Sequence, residues 1–169
     1  MNNKLLPSEQ QIHAARILIV DDEAADIQVL EWALQQANFT NFRSLTDSTR
    51  VLAEFTQFQP DLVLLDLHMP GLDGFAVLQQ LRERGSADEF LPVLMITGVN
   101  TAETRSRALA TGANDFLSKP LDRTEVILRI KNLLQTRFLL QQAREIQARC
   151  DAISGGAGTN VSPKPENQK

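Results

Sequence analysis

Residues 61–74 read DLVLLDLHMPGLDG, and the way this stretch is read decides the fold. Leu62 to Leu65 is continuously apolar, short and stopped by a carboxylate, the pattern of a strand buried on both faces of a parallel sheet. Asp66 then stands at the strand's carboxyl end, where open α/β sheets collect their ligands and chemistry. Pro70, Gly71 and Gly74 make the next segment a turn.

The same grammar repeats on either side. Residues 1–13 have no strong periodicity and are expected to be a flexible leader. Arg16 to Val20 (RILIV) is a strand that ends at Asp21, Asp22 and Glu23. Ala24 to Ala37 follows with Ile27, Leu30, Leu34 and Ala37 at helical spacing. Asn41 to Leu45 is a short strand, and Asp47 or Ser48 caps a helix to about Gln57 with Val51, Leu52 and Phe55 inside, stopped by Pro60. Beyond the opening stretch, Asp73 caps a helix to about Arg84 with Phe75, Val77, Leu78 and Leu81 on its core side; 85–89 is a polar connection. Leu91 to Thr97 is a fourth buried strand. Thr101 to Thr111 is helical with Gly112 as its cap, Ala113 to Ser118 is a fifth strand, and Asp122 opens a last helix. Five strands alternating with five helices over short connections predict right-handed crossovers and a doubly wound parallel sheet, an α/β fold.

At 169 residues the chain can bury a core without metal or disulfide staples. A net charge of −4 without a basic stripe argues against binding nucleic acid through bulk electrostatics. Cys150 is the single cysteine, so no internal disulfide forms. No apolar run reaches the ~20 residues that span a bilayer, and the first residues lack a signal-peptide core. The expectation is a cytoplasmic protein that engages neither nucleic acid nor membrane.

The strand ends bring Asp21, Asp22, Asp66, Thr97 and Lys119 to one rim. Three carboxylates in close company repel one another and call for a cation. Three aspartates against one lysine and one Mg²⁺ balance to zero, and magnesium suits an all-oxygen site that leaves positions for water and a phosphoryl group.

On these residues the chain resembles the receiver domain of two-component response regulators over about residues 14–135. The paired acids Asp21 and Asp22 follow the first strand, Asp66 the third, Thr97 with Gly98 the fourth, and Lys119 with Pro120 the fifth; the runs PGLDG and GANDF add to the match. The resemblance implies a chemotaxis-regulator-like, flavodoxin-like sheet of order 2-1-3-4-5. It also implies that Asp66 takes a phosphoryl group from a histidine kinase or phosphotransfer protein. Asp22, Asp66 and the backbone carbonyl of His68 would bind Mg²⁺ directly, Asp21 through water. Lys119 and the Thr97 hydroxyl would meet the phosphoryl oxygens.

The resemblance further implies a switch in which Thr97 moves toward the new oxygens and Phe116 turns into the space it leaves. Without the family, Phe116 reads as an ordinary strand hydrophobe. The side chains of His68 and Val99 would set how long the phosphate lasts, although His68 read alone is a solvent-facing loop residue. A cis bond before Pro120 would aim the lysine.

Past residue 135 the last helix is expected to continue as an extension over 136–153. There Leu139, Ala143, Ile146, Cys150 and Ile153 recur at spacings of four and three, a seam that either packs on its own domain or pairs with a second copy as a homodimer. Residues 154–169 are rich in Gly, Ser, Pro and Asn and are expected to be disordered.

The leading functional reading is a receiver that signals to a downstream protein partner by phosphorylation-dependent contact, without enzymatic turnover of its own. The alternatives are the receiver portion of a longer regulator with a diguanylate cyclase or phosphodiesterase output, or an aspartyl-phosphate phosphatase. The phosphatase would want a second acid where His68 stands.

Overall fold

A computed structural model describes residues 6–84, 90–99 and 101–155 of the chain. Its five strands are β1 (Ile17–Val20), β2 (Phe42–Leu45), β3 (Leu62–Asp66), β4 (Val93–Thr97) and β5 (Asp115–Ser118). They form one parallel sheet in the order β2-β1-β3-β4-β5. The three inner strands are buried at every residue, whereas the edge strands β2 and β5 are buried only in part. That is why β1, β3 and β4 read as unbroken apolar runs.

Alternate residues of each strand face opposite layers. Ile17, Ile19, Leu62, Leu64, Leu94 and Ile96 pack with the helices α1 (Glu9–His13), α2 (Ala24–Gln36) and α6 (Arg123–Gly155). Leu18, Val20, Val63, Leu65, Val93 and Met95 face α3 (Val51–Phe58), α4 (Gly74–Arg84) and α5 (Ala102–Thr111) on the other side. The caps lie where turn chemistry places them: Thr101 accepts from the Thr104 N–H, Asp73 from the Ala76 N–H, and Gly112 ends α5 at φ 102°.

The leader over 1–13 is corrected for its second half. Ser8 caps α1 by accepting from the Gln11 N–H at 3.1 Å, and Ile12 and Ala15 are buried in the layer with α2 and α6. A single helical turn is too short to display a period, so its one apolar anchor is invisible until the neighbouring helices supply a slot for it. Two strands also start two residues later than expected. Pro92 has no N–H to give the ladder, which begins at Val93, and the Asn114 side chain takes the Val93 N–H at 2.8 Å ahead of β5. A 3₁₀ turn, Ser48–Arg50, precedes α3.

Helix α6 runs unbroken through residue 135. Val126, Ile130, Leu134 and Phe138 bury one face of it, so packing on the sheet continues to Phe138. Beyond that the expected seam lies in the open: Ile146 is 56% and Ile153 76% exposed, and Ala143 and Cys150 are exposed as well. Ser154 and Gly155 close the helix, while the rest of the tail and the connection 85–89 lie outside the described residues. Among the described residues no helix is long and apolar enough to cross a membrane.

Candidate functional site

Parallel register places the strand ends side by side. Val20 pairs with Leu65, Asp66 with Ile96 and Thr97 with Ser118, so Asp21, Asp66, Thr97 and Lys119 emerge along one rim. Gly74 matters to this rim because α4 starts directly over it. A Cβ on Gly74 would collide with the Asp66 carbonyl oxygen and crowd Leu67 Cα at 2.9 Å, while the Gly74 N–H donates to the Leu67 carbonyl at 3.0 Å.

Carboxylate oxygens of Asp21, Asp22 and Asp66 lie within 4.8 Å of one another. Asp66 is buried; its Oδ2 accepts from the His68 N–H at 2.7 Å and its Oδ1 is 2.8 Å from Lys119 Nζ. Asp21 is fully buried and accepts from the Glu23 N–H at 2.9 Å and from Lys119 at 3.0 Å. Burial pushes the Asp21 carboxyl above the ordinary aspartate range, against the hydrogen bonds from Glu23 and Lys119 that favour its charge. For Lys119 the balance tips the other way. Burial favours loss of its proton, but hydrogen bonds to Asp26, Asp66 and Asp21 outweigh that and raise it well above an ordinary lysine. The Lys119 N–H donates to the Thr97 carbonyl at 2.8 Å, and the Lys119–Pro120 bond is cis.

The residues present fit a divalent cation. Two of the three carboxylates are buried, all donors are hard oxygens, and a single ammonium faces them among the described residues. Asp22 is half-buried, and Asp21, Asp22 and Asp66 together make an acidic cluster compatible with Mg²⁺.

Thr97 is buried with its hydroxyl turned into its own loop, donating to the Val99 carbonyl at 3.2 Å and accepting the Val99 N–H at 3.0 Å. Thr97 and Phe116 line the same small cavity, together with Leu67, Met95, Thr104, Arg105 and Ala108. Phe116 is half-buried, and the Arg105 guanidinium sits over its ring at 4.8 Å. The His68 and Val99 side chains are exposed beside the rim.

Three features escaped sequence reasoning. Asp26 reaches Lys119 Nζ at 2.5 Å, which makes four aspartates at the rim instead of three. In the sequence it is merely an acid in the first turn of α2, where it also suits the helix dipole. Arg82 ties α4 to the end of α5 through the Gly112 carbonyl and the Asn114 side chain, at 2.7 and 2.8 Å from its Nη2. At the opposite end of β3, Asp61 Oδ1 lies 3.4 Å from Arg137 Nε, and Asp61 Oδ2 accepts the Arg16 N–H at 2.9 Å. No periodic or motif signal marks these pairs.

Comparison with known proteins agrees with this geometry. Residues 17–131 match the family model of the response regulator receiver domain. The chain is 34% identical over 147 residues to the response regulator PleD of Caulobacter vibrioides, covering 85% of this chain and 32% of PleD. It is 36% identical over 129 residues to the DNA-binding dual master transcriptional regulator RpaA of Synechocystis, covering 76% of this chain and 52% of RpaA. A solved putative two-component system response regulator/ggdef domain protein superposes with a TM-score of 0.69 at 27% identity, over 75% of this chain and 51% of that one. The chain thus spans a third to a half of the length of these relatives. With the sheet order, the acidic rim and the matched residues in agreement, this chain belongs to the response regulator receiver domain family.

Proposed function

We propose that Asp66 is the phosphoacceptor and that the chain is a signalling domain without turnover of its own. The observation that carries this reading is the Asp66 carboxylate held between Lys119 at 2.8 Å and the cluster with Asp21 and Asp22. A carboxylate oxygen of Asp66 attacks the phosphorus of a phosphohistidine on a histidine kinase or phosphotransfer protein. The P–N bond breaks, and the leaving imidazole keeps the electron pair and takes a proton. Asp22, Asp66 and the His68 carbonyl would hold Mg²⁺ directly and Asp21 would act through water, and the ion would supply positive charge to the phosphoryl oxygens. Lys119 brings a flexible point charge to the same oxygens, so the protein's part is positioning and charge compensation.

Phosphorylation replaces one negative charge by about two. Thr97 leaves its hydrogen bonds with Val99 for the new acceptors, and Phe116 turns into the shared cavity, taking the α5–β5–α6 face with it. That face is then the surface offered to a downstream partner in the cytoplasm. His68 and Val99, exposed beside the rim, control access of water and so the lifetime of the phosphate.

Adding Mg²⁺ and beryllofluoride is expected to shift the backbone amides of Thr97, Val99 and Phe116 and those along α5 and the start of α6. Chelating the metal should reverse every shift. Shifts confined to the opposite end of the sheet, near Arg16 and Asp61, would overturn the assignment.

A second reading has its own support. The exposed seam of α6, together with the length of the relatives, favours a receiver that hands its signal through a paired helix to a further output domain, such as a diguanylate cyclase, a phosphodiesterase or a DNA-binding domain. Light scattering is expected to report a dimer that beryllofluoride strengthens and that Ile146→Asp dissolves. A monomer at every concentration, with and without beryllofluoride, would remove this reading.

A further inference from the structure

Lys119 carries three ammonium N–H groups, and three carboxylates claim them: Asp21 at 3.0 Å, Asp66 at 2.8 Å and Asp26 at 2.5 Å. The resting ammonium is therefore saturated. Before it can donate to a phosphoryl oxygen, it has to release one partner. Asp21 is a poor candidate, because it is fully buried and, among the described residues, keeps only the Glu23 N–H as a hydrogen-bond donor once the lysine leaves. Asp66 is the group being modified, and its new oxygens arrive where its old charge stood. Asp26 differs from both. Its side chain is 27% exposed, so water can replace the lysine as its partner at little cost.

Asp26 also changes the charge balance of the rim. Four carboxylates against one ammonium and one divalent cation leave a residual negative charge, which opposes the added charge of a phosphoryl group.

Resting on the reading of Asp66 as phosphoacceptor, we propose that Asp26 is a positioning residue that latches Lys119 in the resting state and so restrains phosphorylation of the domain. It acts through the lysine rather than by touching the phosphoryl donor. Release of the Asp26–Lys119 pair lets the ammonium follow the phosphoryl oxygens, and the same pair re-forms when the phosphate is lost.

The test is Asp26→Asn, which keeps an oxygen acceptor for Lys119 and removes only the charge. With Mg²⁺ and acetyl phosphate, intact-mass spectrometry follows the rate of phosphorylation, and titration reads the half-saturation by beryllofluoride. The variant is expected to phosphorylate about two- to fivefold faster and to saturate at a correspondingly lower beryllofluoride concentration, the range for a part-exposed charge pair. Asp26→Glu should restore wild-type behaviour, because it returns the charge with one added methylene; a merely structural role would predict no such rescue. Asp26→Ser provides the same readout should the asparagine variant fold poorly. If the wild type is modified at Asp66 but removal of the Asp26 charge leaves both rate and half-saturation unchanged, or worsens them, the latch is wrong and the phosphoacceptor reading survives. If the wild type gains no mass at all, the phosphoacceptor reading falls and the latch falls with it.

Discussion

Asp66→Asn is expected to abolish the mass gain that the wild-type chain acquires with Mg²⁺ and acetyl phosphate, while leaving the fold intact. The substitution is isosteric. Its amide oxygen can still accept the His68 N–H that Asp66 Oδ2 accepts at 2.7 Å, so the turn after β3 keeps its hydrogen bond. What is lost is the nucleophile: a neutral amide neither attacks phosphorus nor contributes the charge that helps hold Mg²⁺. Thermal stability should hold or rise, because one buried like charge is removed from beside Asp21 and Asp22. Residual modification at wild-type levels would show that another side chain is the acceptor. The same assay, run on His68→Ala, reads the lifetime role through the rate at which phosphate is lost from Asp66; an unchanged rate would discard it.

The largest effect on stability is expected far from the rim. Asp61→Ala should destabilise the fold by about 1–3 kcal/mol, read from the shift of the denaturant midpoint at constant m-value. Asp61 closes the amino-terminal end of β3 just as Asp66 closes its carboxyl end. It accepts the Arg16 N–H at 2.9 Å and faces Arg16 Nε and Arg137 Nε at 3.4 Å each. Arg137 is 4% exposed and also donates to the Phe90 carbonyl at 2.5 Å. Truncating the carboxylate removes the acceptor of the Arg16 N–H and one of the groups that the buried Arg137 guanidinium faces. Asp61→Asn keeps the acceptor for the Arg16 N–H and should cost less than alanine. A loss under about 1 kcal/mol for the alanine variant, the size of an exposed pair, would show that the Asp61 charge is not needed there. The position matters for signalling too. Arg137 is nearly the last buried residue of α6, so this pair fixes the helix to the sheet at the point where its exposed seam begins.

Much of this was legible from the residues alone, for a local reason. A strand inside a parallel sheet must be apolar at every position, so β1, β3 and β4 announce themselves as short runs that end where the sheet meets water. Caps and turns are equally local: Thr101, Asp73 and Gly112 act within a few residues of where they stand. Strands of known direction then carry their ends to one rim, which is why Asp21, Asp22, Asp66, Thr97 and Lys119 can be gathered from the sequence alone.

The tertiary structure decided what depends on distance across the fold. Ile12 is a core residue only because α2 and α6 leave a slot for it. Asp26 looks like a helix-terminal acid until α2 is laid against the lysine that follows β5, where it becomes the fourth carboxylate of the rim. Arg137 looks like one more solvated charge on a long helix until Asp61 turns out to lie beneath it. Period and turn chemistry are written in neighbouring residues, but Coulomb attraction and burial act between residues that only the folded chain brings together, and no pattern in one dimension encodes which charges will meet.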